Sequence, residues 1–184
     1  MKPTTKSDSR VLYTNYMLTI LKRSLSKKEA SLLTKDIEDF PDLMYVSEAR
    51  FLHLPSTYVA EVDDQFAGVC GVYEFGSWIK LGPLVALQKF HGMGIGRALI
   101  VAVLKDFPGR NIHISSSNEK VQKIVTSLGF LELKSFFILP NIVKKYLLGQ
   151  LVAMLSLKLI VEDIRKTIKY SRASLRWYVR YNSS

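Results

Sequence analysis

Three glycines spaced two apart, Gly92, Gly94 and Gly96, follow an apolar run and precede a segment with helical apolar spacing, Ala98 to Phe107. A strand that turns through Gly-x-Gly-x-Gly into a helix leaves several backbone N–H groups without intrahelical partners, at the positive end of the helix dipole. Residues without a Cβ let that backbone approach an anion closely. The arrangement suits a pyrophosphate, and it also suits a tight ligand-free turn. A dinucleotide-binding turn fits less well, because it needs two glycines three apart and an acidic residue about twenty positions on. This chain has Leu99 and Ser116 at those places. For proton transfer, Glu74 is the one carboxylate between Asp64 and Asp106, so it is the default base; a solvent-facing strand residue fits the same position. His91 and His113 could each accept a proton, one from the glycine turn and one from a strand. Three scattered histidines and one cysteine give no metal-ligand spacing, so no metal is expected.

The surrounding pattern says which elements must hold these residues. Tyr13 to Lys22 reads as a strand, with β-branched and aromatic residues interleaved. Ser26, three before Glu29, makes a capping box ahead of Ala30, Leu32, Leu33 and Ile37, so a helix is expected over about 27 to 38. Leu43 to Leu52 predicts a second short helix, ended by Pro55. Tyr58 to Val62 and Phe66 to Phe75 flank Asp63-Asp64-Gln65 as a hairpin, and Trp78 to Leu87 continues the meander. Ile112 to Ser116 is a short strand, and Asn118 to Leu128 a helix closed by Gly129. Leu131 to Leu139 and Leu151 to Ile160 are read as the last strands. Val161 to about Tyr181 is read as a basic amphipathic helix; the alternation of Leu175, Trp177, Val179 and Tyr181 with charged and aromatic neighbours also allows an extra edge strand.

Composition bounds the class. A chain of 184 residues, 48% of them hydrophobic, can bury a substantial core in one domain. The single cysteine, Cys70, cannot form an intrachain disulfide and sits inside an apolar run, so a reducing, cytoplasmic location is the expectation. The first twenty residues hold no sustained apolar stretch of the secretory kind, and the run Tyr146 to Val161 is interrupted and short for a bilayer. The net charge of +10 is uneven: residues 1 to 140 carry 17 Lys/Arg against 14 Asp/Glu, and residues 141 to 184 carry 9 against 2. Such an end can attract nucleic acid, anionic lipid or an acidic partner, and it can equally be a solvated face.

The run Leu84 to Leu99, with His91-Gly92-Met93-Gly94-Ile95-Gly96-Arg97 at its centre, resembles the acetyl-CoA-binding signature of the GNAT superfamily, Q/R-x-x-G-x-G/A. His91 stands where Gln or Arg is usual. Asn118, with Leu128-Gly129-Phe130 after it, resembles the second signature, an Asn opening a helix that ends in Leu-Gly-Phe. The resemblance covers roughly residues 58 to 160. It implies an α+β fold, a mixed and mostly antiparallel twisted sheet flanked by helices, here with a basic C-terminal extension. Together with the patterns at the two ends, the expected organisation is a disordered segment over 1 to 10, an acyl-CoA-binding domain over 11 to 160 and a basic extension, helical, over 161 to 184.

It further implies that Leu84 and Val85 offer backbone groups to the pantetheine arm, and that His91, Gly92, Met93, Gly94, Ile95, Gly96 and Arg97 hold the pyrophosphate. Asn118 would lie beside the pantetheine or the sulfur, or would simply cap its helix. Many relatives place a Tyr seven residues after that Asn to protonate the leaving thiolate; here the position is Val125. Relatives that acetylate protein N-termini often carry adjacent tyrosines after Pro-Asn, where this chain has Ile142-Val143 after Pro140-Asn141, which favours a small or apolar acceptor. The resulting expectation is an N-acyltransferase that uses acetyl-CoA and an amine, with catalytic acid and base unassigned, no nucleic-acid partner, and peripheral membrane contact left open for the basic segment. A noncatalytic acyl-CoA-binding module and a membrane-surface protein are the competing classes.

Overall fold

The computed structural model describes residues 9–13, 16–39, 46–153 and 175–182. Strands β1 (Ser9–Tyr13) and β2 (Tyr16–Lys22) form an antiparallel pair, so the single strand expected from Tyr13 begins earlier and is broken in two. Ser9 and Arg10 therefore belong to a strand, while residues 1 to 8 of the segment expected to be disordered lie outside the described residues. Helix α1 (Lys27–Asp36) starts at the capping box: Ser26 Oγ accepts from Glu29 N–H, and Glu29 Oε2 accepts from Ser26 N–H at 2.7 Å. Arg23 braces the same carboxylate at 2.6 Å and reaches Glu61 at 2.8 Å. Burial pushes the Glu29 carboxyl up, but Arg23 and Ser26 together outweigh it and hold it down to about 2. Helix α2 (Glu48–Leu52) is the C-terminal half of the second helix expected; residues 40 to 45 lie outside the described residues.

The hairpin forms as read. Strands β3 (Ser56–Val62) and β4 (Gln65–Phe75) are joined by Asp63 and Asp64, whose φ values of 47° and 61° are those of a two-residue turn with left-handed residues. Strand β5 (Trp78–Ala86) pairs antiparallel with β4, with a register shift between Cys70 and Val72. Helix α3 (Ile95–Asp106) then crosses to β6 (Asn111–Ser116), which pairs parallel with β5, the connection a parallel pair requires. Helix α4 (Glu119–Ser127) follows, capped by Asn118, and Gly129 leaves it with φ 82°. The main core lies where α1, α2, α3 and α4 meet the sheet, around Leu18, Leu33, Val69, Ile79, Leu99, Ile112 and Tyr178.

The C-terminal third departs from the reading. Of the strand expected over 131 to 139 only β7 (Leu131–Leu133) is extended; Phe136–Ile138 is a 3₁₀ turn. Residues 151 to 153 are not strand but the end of helix α5 (Asn141–Ala153), and 154 to 174 lie outside the described residues. Gly149, taken as a turn, sits inside that helix, where a lone glycine costs only about 1 kcal/mol. Arg176–Arg180, expected to be helical, is strand β8, and the period-2 alternative is the correct one there. It is no edge strand. The order is β1-β2-β3-β4-β5-β6-β8-β7, with β8 inserted antiparallel between β6 and β7, and it buries both Tyr178 and Val179, which point to opposite faces. A second apolar cluster, Trp78, Leu139, Val143 and Val179, forms against α5. No helix among the described residues is long and apolar enough to cross a membrane.

Candidate active site

The site begins where two strands stop pairing. β5 and β6 share three rungs, Trp78–Asn111, Ile79–Ile112 and Lys80–His113, yet β5 runs on to Ala86 and β6 to Ser116. Beyond Lys80 and His113 the two separate into a wedge. Leu84 and Val85 lie on the β5 wall of that wedge, held from the other side by Cys70 and Val69 of β4. The opposite wall ends at Ser116, whose Oγ accepts from Asn118 N–H at 3.1 Å.

The glycine turn closes the wide end. After β5 the chain makes a 3₁₀ turn over Gln88–Phe90, and the His91 ring meets the Ala86 carbonyl through Nε2 at 3.1 Å. Gly92 (φ 86°) and Gly94 (φ 72°) both occupy the left-handed region, and Gly94 is the N-cap of α3 with no side-chain cap bond. A Cβ at Gly92 would meet nothing within 4 Å, so the turn leaves open space on that side. Met93 O accepts from Tyr16 Oη–H at 2.8 Å, which ties the turn to β2. The first intrahelical bond runs from Ala98 N–H to Gly94 O, so the N–H groups of Ile95, Gly96 and Arg97 lie in the turn whose donors have no helical acceptor. Gly96 is different from its two neighbours: its backbone is helical and a Cβ would stand an ordinary 3.8 Å from Ile124 Cδ1. Ile95 is buried as an anchor, and Arg97 Nη1 donates to Ser127 Oγ at 2.7 Å, fastening α3 to α4.

Asn118 is a helix cap in this structure: its Oδ1 accepts from Lys120 N–H at 2.9 Å and Val121 N–H at 3.2 Å. Val125 is 0% exposed within the main core, so it does not stand in for a proton donor. Substituting Val125→Phe is therefore expected to lower stability by about 1–3 kcal/mol through overpacking, measured by denaturant unfolding, rather than to act on turnover alone. Glu74 is also poorly placed as a base. Its Oε2 sits 3.2 Å from Arg110 Nη1 with the side chain 50% exposed, and it pairs with Ile79 on a rung that faces away from the neighbouring one.

That neighbouring rung was not singled out by motif. The register aligns Tyr73, Lys80, His113 and Val179 across four strands, on one face. His113 is 0% exposed; its Nδ1 lies 3.1 Å from Tyr178 O, and since a carbonyl only accepts, Nδ1 carries the proton. Nε2 is then a bare acceptor, buried without a partner. Burial first, and the Lys80 charge second, push this imidazole down to about 4 despite the bond to Tyr178. Burial, helped by the Arg50 charge, lowers Lys80 to about 8. Tyr73 and Tyr146 line a cleft of about 270 Å³ with Pro55, Ser56, Val72 and Glu74. One sequence signal could have found Lys80: it is the only charged residue in the run Trp78 to Leu87. Tyr16 and Tyr146 carried none.

Residues 18–130 match the family model described as the acetyltransferase (GNAT) family. The chain belongs to that family. Its fold is that of several solved GNAT acetyltransferases and related proteins. A Mycobacterium tuberculosis protein solved in complex with CoA matches with a TM-score of 0.59 at 11% identity, over 87% of this chain and 98% of the other. The ribosomal-protein-S18-alanine N-acetyltransferase from Escherichia coli matches with 0.58 at 13%, over 90% and 95%. Ard1 from Thermoplasma volcanium matches with 0.57 at 15%, over 88% and 96%. No curated protein sequence matches this chain. Within the GNAT family assignment, the matched span holds the glycine turn, the wedge and the Asn118 cap, and it ends before α5 and β8. Among the described residues no group of three His, Cys, Asp or Glu is placed to hold a metal ion.

Proposed function

We propose that the protein moves an acetyl group from coenzyme A to an amine by direct transfer. The observation that carries this reading is the wedge between β5 and β6, open along Leu81 to Ala86 and ending at the N-terminus of α3. A pantetheine arm fits such a gap by bonding as an added strand to Leu84 and Val85, and a pyrophosphate fits the backbone of His91 to Arg97. Two positive-φ glycines and the open space at Gly92 support the fit. Asn118 keeps its capping role at the far wall of the wedge, where its helix turns back from β6.

In the reaction, the amine lone pair attacks the thioester carbonyl carbon, the C–S bond breaks, and the sulfur leaves with the electron pair. The position that holds a Tyr in many relatives is the buried Val125 here, which has no proton to give, so the sulfur leaves as thiolate, which a thiol pKa of about 8.5 permits. The acceptor enters through the cleft lined by Tyr73 and Tyr146, where Tyr73 pairs with Lys80 at the last rung before the wedge. Its aromatic walls favour a small or apolar amine. Purified protein with acetyl-CoA and a panel of amines should release thiol only when an amine is present, with one acetylated amine formed per thiol. Thiol release with no acetylated product would show hydrolysis and reject the reading.

A further inference from the structure

The 3₁₀ turn over Phe136–Ile138 sorts its side chains by its own period, because with three residues to a turn the positions three apart share a side. Phe136 meets Trp177 with ring centres 6.2 Å apart and Leu139 is 2% exposed, so this side faces the second apolar cluster. The other side is left outward, with Phe137 83% and Ile138 60% exposed. Helix α5 continues the surface. Lys144 Nζ donates to Phe137 O at 3.2 Å, which lays the start of the helix against the turn, and Ile142, Lys145 and Leu148 are exposed on α5 while Val143 is buried. A phenylalanine and an isoleucine left side by side in water, next to further apolar area, mark a contact surface.

The charge beside that area decides what it contacts. Residues 133 to 153 carry three lysines, Lys134, Lys144 and Lys145, and no Asp or Glu. The neighbouring carboxylates are already matched. Glu132 is held by Arg176 at 3.2 Å, and Glu74 by Arg110 at 3.2 Å, near the Gly76 turn, where an added Cβ would stand 2.7 Å from Ile142 Cδ1. We infer that this surface docks on an anionic membrane, with Phe137 and Ile138 entering the boundary between headgroups and acyl chains and the lysines staying at the level of the phosphates. A lysine stem lies along apolar surface while its ammonium stays in water, which suits that depth. A second copy of the chain matches less well, because a two-fold contact sets the three lysines against themselves. A nucleic-acid backbone would match the lysines and leave Ile138 in water. Tyr146 of the same helix lines the cleft with Tyr73, so docking brings that cleft to the lipid surface.

The test is cosedimentation of the full chain with vesicles of phosphatidylcholine alone and of equal parts phosphatidylcholine and phosphatidylserine, with the thermal midpoint of each variant recorded. The parent should bind the mixed vesicles and not the neutral ones, and added salt should weaken the binding. Phe137→Ser with Ile138→Ser should weaken it at least about tenfold, and Lys134→Gln with Lys145→Gln on the order of tenfold. The midpoints should hold, since all four side chains are exposed. Phe137→Trp decides the matter even if the serine pair perturbs folding: it should keep the affinity, and its added emission should move to shorter wavelength on the mixed vesicles. Emission that stays put on bound vesicles overturns the inference. Undiminished binding by a folded serine variant puts the attraction on charge alone and overturns it too. So do a parent that binds neither vesicle, a dimer that the serine pair abolishes in place of vesicle binding, and equal affinity for duplex DNA.

Discussion

Acetyl-CoA should raise the thermal midpoint of the parent protein, and replacing Gly94 with aspartate should erase that rise. A ligand that binds only the folded state stabilises it by mass action, by about 2.7 kcal/mol at a hundred times Kd. For a chain of this size that is a rise of about 5–11 °C. Gly94 is the N-cap of α3 with φ 72°, at the point where the unpaired N–H groups of the first turn converge. Aspartate there sets a carboxylate against the phosphates and fills the donors from its own side chain, as a capping residue does. The strained φ also lowers the stability of the free protein, by about 1–2 kcal/mol. The decisive quantity is therefore the ligand-induced shift. Gly109→Asp provides the control, since a Cβ there meets nothing within 4 Å and its φ is ordinary. An undiminished shift in Gly94→Asp would remove the glycine turn from the binding site.

Tyr178→Ala should be among the most damaging single substitutions, with a loss of about 3–5 kcal/mol and a midpoint lower by about 6–20 °C. The side chain is 1% exposed, packs into the main core from β8, and reaches Glu132 through its hydroxyl at 3.4 Å. The backbone of the same residue holds the His113 tautomer, and that bond survives the substitution. Urea unfolding read by tryptophan fluorescence measures the effect. A loss under about 1 kcal/mol would mean that residues 176 to 180 are a solvated tail and not an inner strand.

These two sites also mark the limits of legibility. The glycine turn could be read because its signal is local: small residues, a preceding apolar strand and a following helical period lie within about twenty residues. The capping box at Ser26 and the two-residue Asp turn were readable for the same reason. The wedge was not, because it is defined by pairing that ends, and no residue type announces a missing rung. The Tyr73–Lys80–His113 row is likewise a product of register among strands far apart in the chain. At the C-terminus, Leu151 to Ile160 and Arg176 to Arg180 both offered strand-like runs, and placing the first in the sheet pushed the second out of it. Trp177, Tyr178 and Val179 carried the stronger evidence, since aromatic and β-branched residues favour a pleated, two-sided burial. Val125 shows the opposite failure. A count from Asn118 fixed its position in the helix, but the helix phase turns it into the core.

The insertion of β8 has a temporal side. During synthesis β6 can pair with β5 as soon as α3 has crossed over, but its other edge stays bare until residues 176 to 180 exist, long after β7 has been made. Through that interval β6 presents unpaired backbone groups to any passing strand, and His113 has no carbonyl to select its tautomer. The central rung is thus complete only once β8 has paired with β6 on one side and β7 on the other.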